Sequence, residues 1–331
     1  MTSVPDVSVV IPTRNRWQLL SRHALPSALA QVDVELEVVV VDDASEDETS
    51  ARLSQLEDPR VRVVAHEARR GLAAARNSGA AVARGTWLSF LDDDDLWAPD
   101  KLRVQIDAAT ALGRDWAYAR AIVVDSELRV IADHPFPQPE DVEALLHGGN
   151  HVPGGGSNVI VLAETHRQVG GFDEELRYFE DWDFWLRLVT RGIPAACPEV
   201  VVARVEHGQN MLFRDRANVL VDFERLLSKH RGVTQADRLA VAEWLAHEHV
   251  RAGMHRRAAV LYLRAASHYR SPGNLVAAGG ALFGRRGVAA ASRLLMAVRG
   301  RTHLREATNG AAPPAPAWLN LYVRSQTARK L

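Results

Sequence analysis

Four consecutive aspartates, Asp92 to Asp95, close the apolar run Thr86-Trp87-Leu88-Ser89-Phe90-Leu91. Carboxylates crowded at the mouth of a buried strand repel one another strongly, because low-dielectric protein screens them poorly. Such a cluster requires a cation or a network of donors. An oxygen-only ligand set favours a hard divalent ion, Mg²⁺ or Mn²⁺, which keeps coordination positions open for substrate phosphates. The competing reading is an acidic turn that caps the next helix, since Asp95 and Asp100 flank Pro99, a residue suited to a helix start. The apolar run itself is short and rich in aromatic residues, and it predicts a buried strand.

The elements that must position these carboxylates alternate. Strands are predicted at Val7–Ile11, Glu37–Val41, Val61–Ala65 and Thr86–Leu91. Between them, helices are predicted at Arg16–Gln31 with a break at Pro26, from the polar turn Asp42–Glu46 to about Leu56, and at Leu72–Ala83; another follows at Lys101–Leu112. Continuous apolar strands separated by helices indicate a parallel sheet covered on both faces. Ligands of such sheets bind beyond the carboxyl ends of the strands. Those ends carry Pro12-Thr13-Arg14-Asn15, Asp42-Asp43-Ala44-Ser45 and the four aspartates, so three polar clusters are expected on one edge. Residues 113–153, with Pro135, Pro137 and Pro139, read as an irregular connection. Gly154-Gly155-Gly156-Ser157-Asn158 lacks the Gly-Lys-Ser/Thr ending of a P-loop and reads as tight backbone near a ligand, ahead of a strand at Val159–Leu162. Asp181–Arg191 is a predicted helix with Trp182, Trp185 and Val189 along one stripe.

With 331 residues and 47% apolar content, the chain can bury one large core or two smaller ones. Its single cysteine, Cys197, excludes an intramolecular disulfide and suits a reducing compartment. Met1–Asp6 shows no secretory pattern and no stretch reaches the length of a membrane span, so a cytoplasmic, soluble or peripheral protein is expected. The net charge of −1 conceals two unlike halves. Residues 1–212 carry 20 Lys/Arg against 34 Asp/Glu, whereas residues 213–331 carry 20 against 7. The basic half can meet an anionic surface or ligand, or the acidic half of its own chain.

The ordered motifs resemble the family-2 glycosyltransferases of the GT-A fold. Val7 to Asn15 resembles that family's first strand and turn, and Val39-Val40-Val41-Asp42-Asp43-Ala44-Ser45 its second. Gly71 to Asn77, then Gly85 to Trp97, resemble its helix and Asp-x-Asp strand. Gly170-Gly171-Phe172-Asp173 with Glu180-Asp181-Trp182-Asp183 resembles its acceptor-side segment. The resemblance spans about residues 5–210 and implies a Rossmann-like, mostly parallel α/β sheet flanked by helices. It implies transfer of a sugar from a nucleotide-diphosphate donor to an acceptor hydroxyl, with Mn²⁺ or Mg²⁺ as cofactor.

By that resemblance the donor is held by Pro12, Thr13, Arg14, Asp42, Asp43, Arg76, Asp92 and Asp93. Asp43 is the nucleobase contact, and the metal falls to Asp94, Asp95 and His207. The Asp-x-Asp register reads equally as Asp92/Asp94 or Asp93/Asp95, and not all four aspartates can ligate one ion. Asp181, with Glu180 beside it, is the implied base for a direct displacement that inverts the anomeric centre. Each assignment has a plainer rival. Asp42 and Asp43 suit a turn and a helix cap. Arg76 suits a helix surface as well as a phosphate, and Glu180 and Asp181 suit the dipole of their own helix. Trp182 and Trp185 suit core as well as an acceptor pocket, and His207 suits an ordinary post-strand histidine.

The expected organisation is a catalytic domain over 1–212, a basic helical region over 213–308 and a flexible tail over 309–331, with Asn309–Pro316 as a proline-alanine linker. Helix breaks are expected near Gly232, Pro272-Gly273 and Gly287. Leu282–Arg301 has the composition of a basic amphipathic helix on anionic lipid, which would suit a lipid-linked acceptor at the inner membrane face; a polysaccharide acceptor is the other expectation. A solvated basic face on a helical bundle is the rival reading. No nucleic-acid partner is called for. The rival to an enzyme is a catalytically silent nucleotide- or sugar-binding module on the same fold. An aspartate-nucleophile phosphohydrolase fits poorly, because Asp95-Leu96-Trp97 follows Asp94 where that chemistry wants a threonine or valine.

Overall fold

The computed structural model describes residues 4–207, 219–230, 232, 235–251, 253–268, 270–299 and 313–328. Its strands are β1 (Val7–Thr13), β2 (Leu36–Asp42), β3 (Val61–Ala65), β4 (Trp87–Phe90), β5 (Leu96–Trp97), β6 (Trp116–Val124), β7 (Val130–Asp133), β8 (Ile160–Leu162) and β9 (Ala195–Val205). They form one sheet in the order β3-β2-β1-β4-β8-β6-β9-β5, with β7 paired to β6. The half that carries the polar clusters is parallel, β1 lying between β2 and β4. Beyond β4 the sheet becomes mixed, since β8 runs antiparallel to both β4 and β6. β1, β2 and β4 are buried along their whole length, as their unbroken apolar runs require.

Eight helices accompany this sheet through residue 188: α1 (Trp17–Arg22), α2 (Ala24–Leu29), α3 (Thr49–Leu53), α4 (Leu72–Val82), α5 (Lys101–Leu112), α6 (Val142–Gly148), α7 (Ala163–Gln168) and α8 (Glu180–Leu188). The first helical segment breaks at His23 and not at Pro26. Pro26 lies in the first turn of α2, where a missing backbone N–H costs little. His23 is buried at the break, and its ring Nδ1 lies 3.0 Å from the Asp94 carbonyl oxygen. The stretch 113–153 holds more order than its prolines imply. It contains β6, a nine-residue strand whose apolar pattern is diluted by Ala117, Ala119 and Ala121. Those small residues belong to the sheet's main core.

The chain divides into two compact units. Among the described residues, the first comprises 4–146, 150–207 and 313–328, and the second 147–149 together with those from 219 to 299. The second is helical: α9 (Val219–Lys229), α10 (Gln235–Arg251), α11 (His255–His268), α12 (Gly273–Ala281) and α13 (Gly284–Arg299). Its small core joins Ala246, Val250, Ala258, Tyr262, Ala278, Ala281 and Val288. Gly287 does not break a helix, as expected from sequence, but lies inside α13. A Cβ there would stand 2.1 Å from the Gly280 carbonyl oxygen, so glycine lets α12 and α13 touch backbone to backbone. The turn falls instead at Leu282-Phe283.

The tail also departs from expectation. Residues 309–312 and 329–331 lie outside the described residues, but Leu319–Ala328 forms a helix, α14. Leu319 and Tyr322 are buried in a cluster with Leu96, Ile122 and Val205 of the first unit. Trp318 Nε1 donates to the Val200 carbonyl oxygen at 2.7 Å, and the Tyr322 hydroxyl donates to that of Trp97 at 3.0 Å. Three large side chains in five residues supply enough apolar area to anchor the segment. The proline-alanine stretch ahead of them conceals this. Leu319→Ala is therefore expected to cost about 2–4 kcal/mol in urea unfolding; an unchanged midpoint would show the tail to be a loose extension.

Candidate active site

The turn after β1 is fastened to the turn after β2. Asn15 Oδ1 accepts from the Glu46 backbone N–H at 2.7 Å, and the Asn15 N–H donates to Ser45 Oγ at 2.9 Å. Arg14 pairs with Glu46 at 2.9 Å on the exposed rim, while Pro12 is buried as part of β1. Asp42 Oδ1 accepts the Ser45 N–H at 3.0 Å, closing its own turn. Asp43 is buried and braces the loop before α4. Its Oδ1 accepts the Arg70 N–H at 2.7 Å and lies 2.8 Å from His66 Nδ1, and its Oδ2 accepts the Gly71 N–H at 2.9 Å. These three partners hold it in place just beyond the end of β2.

The four aspartates have four different surroundings. Asp92 faces Arg76, whose Nη2 donates to Asp92 Oδ1 at 2.6 Å. Asp93 accepts from Thr13 Oγ1 at 2.8 Å and from Arg16 Nη1 at 2.9 Å. Asp94 Oδ2 accepts from the same Arg16 Nη1 at 3.0 Å and lies 3.0 Å from His207 Nε2. Asp95, expected as a metal ligand, is committed elsewhere. Its Oδ2 accepts from Ser157 Oγ at 2.5 Å and its Oδ1 from the Val205 N–H at 2.9 Å, so it ties β5 to the glycine-rich turn and to β9.

Arg76 lies neither on a helix surface nor at an open phosphate position. It is buried, and its Nη1 donates to Glu180 Oε1 at 2.8 Å while Nη2 holds Asp92. One guanidinium thus couples the strand-end aspartates to the start of α8. The glycine cluster, expected against a ligand, makes room for this link. A Cβ on Gly156 would stand 2.4 Å from Arg76 Nη2, and one on Gly155 3.1 Å from Asp181 Oδ2. Asp181 Oδ2 also accepts from Asn150 Nδ2 at 2.9 Å. Trp182 and Trp185 are core residues: Trp182 Nε1 donates to the Leu146 carbonyl oxygen at 2.7 Å, and Trp185 stacks on Trp116 with centroids 6.4 Å apart.

Burial and repulsion set the charges here. Burial, then the neighbouring Asp94, push the Asp93 carboxyl up to about 7, against the pull of Arg16 and Thr13. Burial also acts to raise Asp94, but the His207 hydrogen bond and the Arg16 charge bring it below its ordinary value. Asp95 is raised by burial and by Asp94 and Asp92. Glu180 is pushed up to about 7 by burial, with Arg76 opposing and Asp181 adding to the rise. Burial raises Asp181 as well, with Arg76 opposing. Burial disfavours the charge on Arg76, yet Asp92, Glu180 and Asp181 hold that guanidinium protonated.

The donor set bears on whether a divalent ion fits. Among the described residues no three His, Cys, Asp or Glu side chains are gathered as a ready-made metal cluster. Asp94 Oδ2 and His207 Nε2 lie 3.0 Å apart, however, and Arg16 places positive charge between oxygens of Asp93 and Asp94. A carboxylate and an imidazole with a second carboxylate adjacent suit an ion that takes its remaining ligands from substrate phosphates and water.

The fold and this edge of charged side chains define an enzyme of the GT-A type. The family description "Glycosyl transferase family 2" matches residues 8–160. The chain is 39% identical over 189 residues to the succinoglycan biosynthesis protein ExoO of Rhizobium meliloti (strain 1021), a match covering 54% of this chain and 54% of ExoO. It is 30% identical over 216 residues to an Escherichia coli (strain K12) protein named for colanic acid biosynthesis as the glycosyl transferase WcaA, covering 63% of this chain and 76% of WcaA. Identity is 27% over 183 residues to the E. coli UDP-Glc:alpha-D-GlcNAc-diphosphoundecaprenol beta-1,3-glucosyltransferase WfgD, covering 55% of this chain and 69% of WfgD. The crystal structure of S. aureus TarS 1-349 in complex with UDP-GlcNAc shares the fold, with a TM-score of 0.55 over 86% of this chain and 81% of that chain at 18% identity. The chain belongs to glycosyl transferase family 2. The matched segment spans about half of ExoO.

Arg16 and Asn150 are members of this network that motif reading missed, and Ser157 figured there only within the glycine-rich turn. Charge balance offered a signal for Arg16, because four adjacent aspartates require nearby cations and Arg16 directly follows the first polar cluster. Arg16→Gln leaves Asp93 and Asp94 unbalanced, and breaking a buried pair costs about 3 kcal/mol. Without the guanidinium the folded-state pKa of Asp93 rises further above 7, so its protonated form relieves the repulsion at lower pH. The variant's loss of stability is expected to be larger at pH 8 than at pH 6. Equal losses in denaturant titrations at the two pH values would contradict this electrostatic account.

Proposed function

We propose that the enzyme transfers the donor sugar by one direct, inverting displacement that depends on a divalent cation, Mn²⁺ or Mg²⁺. The observation that carries this reading is that the aspartate run presents Asp93 and Asp94 to Arg16 and His207 while its first member, Asp92, is joined through Arg76 to Glu180, beside Asp181. Asp94 and His207 would hold the ion, with Asp93 beside them. Bound there, it would absorb the charge that develops on the diphosphate leaving group. Pro12, Thr13, Arg14, Asp42 and Asp43 line the strand ends proposed to hold the nucleoside. Asp92, partly exposed and oriented by Arg76, is proposed to face the donor sugar.

Asp181 is the proposed base. Its carboxylate takes the proton of the acceptor hydroxyl, that oxygen bonds to the anomeric carbon, and the bond from that carbon to the diphosphate breaks. Glu180, through Arg76, acts as a positioning residue for Asp92. A carboxyl raised by burial is a stronger base than an exposed one, which suits the task. The acceptor is proposed to be lipid-linked or a growing polysaccharide, classes that appear in the names of WfgD and ExoO. Peripheral attachment at the inner membrane face belongs to the same reading. Among the described residues no helix is long and apolar enough to cross a membrane.

Two substitutions separate the roles. Asp94→Asn is expected to abolish ion-dependent donor turnover with the fold retained, and unchanged turnover would remove Asp94 from the ion site. Asp181→Asn should lower transfer by about 10²–10⁴-fold while donor binding persists; equal loss of binding would make Asp181 structural. The base must be ionised, so activity is lost as pH falls through the elevated pKa of Asp181. Asn150 donates to Asp181 and lowers that pKa. Asn150→Ala should therefore move the acidic limb of the kcat profile to higher pH, whereas a purely structural Asn150 would leave the limb in place.

A further inference from the structure

The second unit contains a feature that sugar transfer does not use. Leu282 and Phe283, at the turn between α12 and α13, are 52% and 81% exposed. Leu275, seven residues before Leu282 and so on the same side of that helix, is 57% exposed. Arg285 and Arg286 follow within one turn. The contact between Gly280 and Gly287 fixes the two helices closely, so the apolar pair is held at the end of a tight hairpin. The chain around it is charged in one sense: residues 249–305 hold eleven arginines and not one aspartate, glutamate or lysine.

We propose that the Leu282-Phe283 turn is a membrane-contact tip that inserts into the headgroup region of an anionic bilayer. This rests on the reading of the enzyme as one that works at a lipid surface, and it names the element that touches that surface. Phe283 and Leu282 enter the boundary between headgroups and acyl chains, while Arg285 and Arg286 pair with lipid phosphates through their planar guanidinium groups. A nucleic acid would satisfy the arginines but gives no use to two adjacent exposed apolar side chains. An all-arginine segment also suits phosphates more than a hydrated lysine surface would. The contact is with the surface only, since neither helix is long and apolar enough to span.

The test is co-sedimentation of the full chain with vesicles of mixed phosphatidylglycerol and phosphatidylcholine, with pure phosphatidylcholine vesicles as the control. The protein is expected to sediment with the anionic vesicles and not with the neutral ones. The double variant Arg285→Gln/Arg286→Gln should weaken that binding by about thirty-fold, from ~1 kcal/mol per arginine. Phe283→Ser should weaken it by about ten-fold or more. Both changes lie on exposed positions, and an unaltered melting temperature establishes that the variants fold. Absence of selective sedimentation would overturn the proposal, as would undiminished binding by Phe283→Ser. So would tight binding to an RNA homopolymer that survives Phe283→Ser while vesicle binding is lacking. Nucleotide binding measured on the same samples reports separately on the sugar-transfer reading.

Discussion

Six carboxylates, Asp92 to Asp95 with Glu180 and Asp181, share one edge of the sheet, and their mutual repulsion must be offset before that edge can form. Two guanidiniums carry most of the load. Arg76 stands between Asp92 and Glu180, and Arg16 between Asp93 and Asp94. Much of the surrounding structure follows from placing them. Gly156 exists to admit Arg76, and the close pairing of the turns after β1 and β2 brings the polar strand ends together. Ser157 and the β9 backbone absorb Asp95, the member of the run that neither guanidinium reaches.

That arrangement also separates otherwise identical residues into different tasks. Asp94 is held ionised by His207 and Arg16 against the effect of burial, whereas Asp93 next to it is pushed up to about 7. Asp95 is structural, and Asp92 retains exposure toward the open edge. Charge on Asp92 and charge on Glu180 act on the same buried guanidinium, because Arg76 is shared by both. The aspartate run and the start of α8 are therefore joined by a single buried side chain with partners at 2.6 and 2.8 Å.

The parallel half of the sheet was legible in sequence because β1, β2 and β4 are buried on both faces and read as unbroken apolar runs. Val61–Ala65 and Lys101–Leu112 agree with the structure residue for residue. β6 was hidden because alternate alanines lower its apolar signal, although small side chains are what its crowded position requires. The break at His23 was misplaced because proline is the stronger local signal, whereas the tertiary bond to the Asp94 carbonyl governs the chain there. Which aspartate of the run does what was not legible at all. The four form the turn between β4 and β5, where no strand period assigns their sides, and their partners Arg16, Arg76, Ser157 and Val205 are remote in sequence. The tail was misread for a related reason, since composition weighed the prolines of 313–316 above the three anchoring side chains that follow.

The central claim is that this edge is built to receive a diphosphate together with a cation. Isothermal titration of UDP, GDP, dTDP and CDP into the full chain, each with and without Mn²⁺, tests it most directly. At least one nucleotide should bind with an affinity that rises steeply when Mn²⁺ is present. Equal affinities with and without the ion, or no uptake by well-folded protein for any of the four, would contradict the account.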